Sequence, residues 1–317
     1  DKGIEVDWIC PNLFSLNSLK SIIKLNKNDR ILEWDNDSTS LWSKYQIVVG
    51  PASTSLYEAI LQGSLPISFS ISKTQLTKLE DWLTIGHCLH ISNEEKENIK
   101  YINLIFQLSI NHYKEFLSKL ENSSELLDGK GVERVTNELE SFINQKNYSY
   151  SKSEKIFNKG GIQECSFKES LDFLAARNSE QVRQMSTDPS HIITWPEHLK
   201  WWLNGDVDKF VFRGSLDNPE VYFWIKKWNL NGRKYLTAGW FPVNKKTPFT
   251  SILKTLDWQI KHYSARFKEY TWVATVRNDN KAAISMNRRV GFTDASKKIY
   301  SDLPKLFPGT NEEFKVF

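Results

Sequence analysis

Asn280-Lys281-Ala282-Ala283-Ile284-Ser285-Met286-Asn287-Arg288-Arg289-Val290-Gly291-Phe292 is the stretch on which the fold of the C-terminal half turns. An apolar run over 271–276 precedes it and reads as a strand. Asn280 is placed to cap a helix over 281–290, and Gly291 to end it. Upstream, residues 250–263 carry a helical period. Earlier still, residues 209–213, 221–228 and 234–243 read as three successive strands, with Asn231-Gly232 as the hairpin turn between the last two. Residues 167–178 and 182–185 are helical or mixed, and 196–203 form a helix with Pro196 at its first position. A last strand is expected near 297–300. An antiparallel meander followed by helix, strand, helix, strand makes an α+β domain.

The N-terminal half is ordered differently. Residues 4–9, 45–49, 65–69 and 88–91 read as strands. Helices are expected over 16–25 with Ser15 as cap, over 55–61, over 98–120 and over 132–143. Strands alternating with helices imply a mainly parallel, α/β sheet. Residues 144–161 (NQKNYSYSKSEKIFNKGG) are polar, rich in Lys and Ser, and close on Gly-Gly. The expected organisation is therefore a first domain over 1–145, a linker over 146–161 and a second domain over 162–317.

Composition narrows the function classes. Charged residues make up 25% and hydrophobic ones 40%, which argues for folded domains rather than disorder. A formal net charge of +4 without a clustered basic patch gives no reason to expect a nucleic-acid partner. No run approaches the ~20 apolar residues of a membrane span, so no membrane partner is expected. Cys10, Cys88 and Cys165 are few, odd in number and far apart, which argues against a disulfide framework or structural zinc. A reducing, cytoplasmic setting is the expectation, without a metal. The chain opens on Asp1 rather than Met, as expected of a processed chain or of a piece of something longer.

Asn280, Ala283 and Gly291-Phe292, spaced in this way after a strand, resemble the last conserved motif of the GNAT acyltransferase superfamily. Arg177-Asn178, Val182-Arg183, Met185, Ile192, His198 and Trp201 are similar to the opening of GNAT enzymes that acetylate amino groups on nucleotide-linked sugars. The resemblance covers about residues 163–303 and implies acetyl-CoA as co-substrate. The helix holding Asn280 and Asn287 would lie along the pantetheine and pyrophosphate end of that molecule. The family's pyrophosphate loop is matched by Lys245-Lys246-Thr247-Pro248-Phe249-Thr250-Ser251. Pro248 has no N–H to offer there, and Lys245, Lys246, Thr250 and Ser251 are the candidates to compensate. Asn287 stands where the family usually has a Tyr that protonates the leaving thiolate. Tyr300 is the candidate replacement, and water the alternative. His198 is the candidate base, because a near-neutral pKa suits an ammonium. Arg177, Asn178, Arg183 and Met185 are the candidate substrate contacts. A backbone N–H near residues 239–241 would polarise the thioester carbonyl.

In the first half, Gly50-Pro51-Ala52-Ser53-Thr54-Ser55-Leu56-Tyr57-Glu58 follows a strand and opens a helix. Small residues there let backbone N–H groups approach a phosphate, and Glu58 on the first turn is placed for ribose hydroxyls. The same nine residues also read as an ordinary turn capped by Ser53 or Thr54. With Gly63-Ser64-Leu65-Pro66, Lys73-Thr74-Gln75 and residues 127–135, they resemble the C-terminal lobe of the UDP-sugar hydrolase of pseudaminic acid biosynthesis. That resemblance covers about residues 3–143 and implies a partial GT-B, Rossmann-like lobe. Its nucleotide site would be built from Gly50, Ser53, Thr54, Ser55, Glu58 and Gln75. Pro51-Ala52 and Thr74 depart from the family pattern, and the lobe that supplies the family's catalytic His has no counterpart here.

The reading is thus α/β plus α+β: a partial GT-B-like lobe followed by a GNAT domain. The expected activity is N-acetylation of an amino group on a UDP-linked amino sugar in a pseudaminic-like pathway. Hydrolysis of a UDP-sugar by a longer bifunctional protein is one alternative, and a degenerate, non-catalytic binding module is another.

Overall fold

In the computed structural model the chain divides into two compact units, Asp1–Glu97 with Ser109–Asn137, and Asn98–Leu108 with Glu138–Phe317. The structure describes residues 4–10, 13–22, 24–25, 27–33, 41–71, 82–83, 86–121, 128, 130–144, 161–186, 188–214 and 217–317. All of the linker expected over 146–161 except Gly161, and Gln75 with its neighbours Lys73 and Thr74, lie outside them.

In the first unit β1 (Asp7–Cys10) pairs with β2 (Arg30–Glu33), a strand beyond those expected from the sequence. β3 (Ile47–Pro51), β4 (Leu65–Phe69) and β5 (His90–Ile91) form a separate three-stranded sheet. Every pairing is parallel, as alternating strands and helices require. The helix Thr54–Leu61 connects β3 to β4 and buries Leu56 and Ala59 against Trp42, Val48, Ala52 and Trp82. Two expectations are corrected. Ser15 lies inside the helix Leu13–Ile22 rather than capping it. The helix expected over 98–120 is two helices, Ile99–Asn111, most of which belongs to the second unit, and Tyr113–Glu121. His112 starts the second: its carbonyl accepts from the Phe116 N–H at 3.0 Å, and its ring meets the Glu115 carboxylate at 3.2 Å.

The second unit is built on a five-stranded sheet in the order β10-β9-β8-β7-β6. Its strands are β6 (Ile162–Glu164), β7 (Val207–Arg213), β8 (Pro219–Leu230), β9 (Arg233–Pro242) and β10 (Thr271–Trp272). β6 to β9 run antiparallel and β10 joins β9 in parallel. Asn231 and Gly232 turn the β8–β9 hairpin with φ of 52° and 80°. Two positive φ values are what a type I′ turn needs, and Asn and Gly tolerate them best. Alternation along the strands assigns the two faces. Val211, Tyr222 and Phe241 face Phe173, Ala176 and Trp202 of the helices Ser170–Asn178 and Trp195–Trp202. Ile225 and Leu236 face Tyr263 on the 18-residue helix Phe249–Arg266.

Two further corrections concern the C-terminal end. Residues 297–300 form a helix, Lys297–Tyr300, followed by a second, Leu303–Leu306. Ile299, Leu303 and Leu306 recur at helical spacing and pack together on Tyr235, Val273 and Val316. Asp302 between them is buried, accepting from Tyr235 Oη at 2.8 Å and Arg233 at 2.9 Å. The strand expected over 271–276 is interrupted. β10 ends at Trp272, and β11 (Thr275–Arg277) pairs instead with β12 (Phe314–Val316), the real last strand.

Candidate active site

The break between β10 and β11 opens the sheet. Leu236 is the last β9 residue in register with β10, and its carbonyl accepts from the Val273 N–H at 2.9 Å. On the other edge, the Val243 N–H reaches the Glu220 carbonyl at 2.9 Å. Both backbone groups of a residue in an antiparallel strand point to one side, and the side alternates. Leu236, Ala238 and Trp240 therefore turn their N–H and C=O away from β8. Beyond Leu236 no strand receives them, because the chain has turned toward β12. The N–H and C=O groups of Ala238 and Trp240 have no partner among the described residues. The result is a wedge whose wall presents an open backbone donor at Trp240. The Trp240 side chain packs with Ile252, Leu253, Ala283 and Met286, so the helices Phe249–Arg266 and Lys281–Arg289 flank the opening.

At the end of β9 the chain enters the loop 244–248 and then the helix Phe249–Arg266. Within the loop the Lys246 N–H donates to Asn244 Oδ1 at 2.8 Å, and the Thr247 N–H to the Asn244 carbonyl at 3.2 Å. The Thr247 hydroxyl donates to the Glu220 carbonyl at 3.0 Å. Pro248 sits at the N-cap with no donor of its own. The N–H groups of Lys245, Phe249 and Thr250 remain open among the described residues, with the exposed side chains of Lys245 and Lys246 beside them. Open donors on the first turn of a long helix, next to two cations, suit an anion. Ser251 is not part of that set. It is buried, and its hydroxyl donates to Glu220 Oε2 at 2.5 Å.

Asn280 accepts from the Ala283 N–H at 3.1 Å and so caps its helix. Asn287 lies on the same helix, 6% exposed, and its amide has no hydrogen-bond partner among the described residues. Tyr300 is half-exposed, and its helix packs through Ile299 where β9 and β10 are still paired. That is the closed end of the wedge.

His198 is corrected most sharply. Its side chain is fully buried among Phe173, Trp195, Trp201 and Trp202, with ring centroids 5.3–6.0 Å away. Burial, reinforced by the nearby Arg177 charge, pushes its pKa down to about 3. A sealed, weakly basic imidazole does not fit a base that must reach a substrate amine. Asn178 and Arg183 are also committed within the fold. The Asn178 amide donates to the Ile193 carbonyl at 2.8 Å and accepts from its N–H at 3.0 Å. Arg183 donates to the carbonyls of Asn178 at 3.1 Å and Pro189 at 2.8 Å. Together they fasten the loop that carries exposed Met185 and Ile192.

Arg177 is different. Its guanidinium lies 4.7 Å from the Trp201 ring centroid, and no acceptor or carboxylate meets it among the described residues. Burial lowers its pKa to about 10, which leaves it a cation at neutral pH. Trp201 meets Trp224 edge-on at 6.2 Å, and the Trp224 indole covers Gly239. An aromatic wall thus runs from Arg177 to the residue preceding Trp240. Trp224 and Glu220 were missed in the sequence because nothing in their local spacing marks them; both matter through cross-strand neighbours.

In the first unit Gly50 belongs to β3, and Ser53 is the N-cap of the helix Thr54–Leu61 without a side-chain bond to it. Thr54 and Ser55 open the helix, while exposed Glu58 falls beyond its first turn, contrary to expectation. His87 and His90 are buried and bonded to Ser68 and Ser70 at 2.8–3.1 Å.

No protein-family model matches the chain, and no curated protein matches it. Solved structures resemble about half of it. A domain from Methanocaldococcus jannaschii is 13% identical with a TM-score of 0.41, over 50% of this chain and 96% of that one. A ribosomal-protein-alanine N-acetyltransferase from Brucella melitensis is 15% identical with a TM-score of 0.38, over 43% and 85%. A spermidine N-acetyltransferase from Vibrio cholerae, in complex with CoA and spermine, is 12% identical with a TM-score of 0.38, over 50% and 92%. Identities this low and TM-scores below 0.5 leave the chemistry to be read from the chain's own residues.

Proposed function

We propose that the second unit is an acetyl-CoA-dependent N-acetyltransferase. The observation that carries this reading is the wedge: β9 leaves β10 after Leu236 and keeps the Trp240 N–H unpaired beside it. When bound, acetyl-CoA supplies an acetyl group activated as a thioester. The chain's residues bind and orient it. The Trp240 N–H is aimed into the wedge and is suited to polarise a carbonyl there without reorganising. The open N–H groups of Lys245, Phe249 and Thr250, with the two lysine side chains, are suited to phosphate oxygens. The fit is partial, since Pro248 has no donor and Ser251 is engaged with Glu220. Asn287 stands on the flanking helix as a neutral amide and has no proton to give a leaving thiolate. With His198 sealed and Tyr300 at the closed end, the acceptor amine would lose its proton to solvent.

The finer reading concerns the acceptor: an amino group on a UDP-linked amino sugar, in a pseudaminic-like pathway. It is supported by Arg177, a half-buried cation without an anion of its own, set on an aromatic wall that leads toward Trp240. Such a group recognises a phosphate or carboxylate well. For the first unit, a partial GT-B-like lobe that binds UDP remains a proposal, resting on the turn at the C-terminal end of β3. Ligands of parallel sheets bind at such ends. Hydrolysis there has no support, because His87 and His90 are buried in bonds to serines. The test is acetyl transfer from labelled acetyl-CoA to UDP-linked amino sugars, read by mass spectrometry. Transfer to those and not to neutral amines of similar size supports both levels. Transfer only to neutral amines removes the finer one, and no transfer to any amine removes the activity.

A further inference from the structure

Glu220 is the residue that organises the loop 243–251. Its backbone carbonyl accepts from the Val243 N–H at 2.9 Å and from the Thr247 hydroxyl at 3.0 Å. Its carboxylate crosses over Gly214, where an added Cβ would collide with it, and accepts from the Ser251 hydroxyl at 2.5 Å. Ser251 is in the first turn of the helix Phe249–Arg266, and no acidic residue lies in that turn. The chain therefore brings its own carboxylate, from the start of β8, to the helix end whose N–H groups would hold a phosphate.

We propose that Glu220 is an internal anion that sets, and lowers, the affinity of this helix end for the pyrophosphate of the acyl donor. The proposal rests on the acetyltransferase reading for the identity of the ligand, but not for the effect of the charge. A carboxylate held on the first turn already satisfies part of the helix's positive potential. It also repels a second anion placed within a few ångströms. Both effects act against the attraction from Lys245 and Lys246. The loop is then shaped by Glu220 and discouraged by it: the backbone carbonyl fixes the geometry, and the side chain opposes the anion. The two roles are separable, because Glu220→Gln keeps the carbonyl, the side-chain volume and an acceptor for Ser251 while removing the charge.

The experiment compares the full chain with Glu220→Gln, using two probes. Acetyl-CoA is titrated calorimetrically at low and high salt, and inorganic pyrophosphate is followed through the amide resonances of Phe249 and Thr250. Glu220→Gln is expected to bind acetyl-CoA about tenfold more tightly at low salt, the size of a like-charge repulsion across a few ångströms of partly solvated surface. The gain should shrink at high salt. Pyrophosphate should move the two amides at correspondingly lower concentration in the variant. Equal or weaker affinity in Glu220→Gln for both probes overturns the proposal and leaves Glu220 a loop organiser only. If acetyl-CoA binds neither protein while pyrophosphate still discriminates between them, the proposal stands and the acetyl-donor reading fails.

Discussion

Gly239→Ala tests the aromatic wall beside the wedge. Gly239 lies opposite Trp224 in the β8–β9 ladder. A Cβ there would stand 2.6 Å from the indole Nε1 and 2.7–2.8 Å from two ring carbons, where ordinary contact begins near 3.4 Å. The obstacle is a rigid ring packed against Trp201, not the end of a flexible chain. The indole must rotate or the strands must part, and forced overpacking of this kind costs about 1–3 kcal/mol. The backbone itself is no obstacle, since Gly239 is not in the left-handed region. Replacing glycine with alanine at a compatible position usually stabilises by about 0.4–1 kcal/mol. The sign should therefore depend on residue 224. Gly239→Ala alone destabilises; in a Trp224→Ala background the same change becomes neutral or stabilising. Urea unfolding of the four proteins of that cycle measures the coupling. If Gly239→Ala destabilises equally in both backgrounds, the contact with Trp224 is not what demands glycine.

The His198 imidazole, with a pKa near 3, should keep unchanged ring resonances from pH 8 down to about 4.5; titration near 6.5 would reopen its role as a base. In the first unit burial holds His87 near 3 and His90 near 4. Their folded pKa values lie below the unfolded 6.5, so the unfolded chain binds more protons between those limits. Stability should fall as the pH drops below 6.5, by up to about 1.4 kcal/mol per pH unit per imidazole, and His90→Gln should reduce that slope. Limited proteolysis should cut first within 144–161, where the sequence is polar and aperiodic; first cleavage elsewhere would move the boundary. Arg177→Ala should weaken a phosphate-bearing acceptor tenfold or more, in line with about 1.5–3 kcal/mol for a charged hydrogen bond, and leave acetyl-CoA affinity unchanged.

Local signals gave the local features. Asn231-Gly232 marked its hairpin, the capped helix after Asn280 appeared as Lys281–Arg289, and β4 has the expected bounds of 65–69. The misses share a cause. Residues 297–300 offer only Ile299 and Tyr300 as strand formers, and the positions of Leu303 and Leu306 disclose the helical period that packs on Tyr235. β10 and β11 read as one strand because the switch of partner, from β9 to β12, is not written in either segment. The same holds at the site. Whether a polar side chain is free or spent depends on its neighbours in space. Asn178 and Arg183 are spent on a loop, Ser251 on Glu220, and Arg177 is left over. The wedge itself depends on where hydrogen bonding stops, which no residue type encodes.

In the proposed activity an acyl donor would sit where β9 parts from β10, with its carbonyl at Trp240. Titrating the full chain with acetyl-CoA while following backbone amides tests it most directly. Saturable shifts are expected at Trp240 and Ala238, accompanied by Lys245, Phe249 and Thr250, with the paired amides of β7 unmoved. Unchanged resonances at Trp240 and Ala238 in millimolar acetyl-CoA would contradict it.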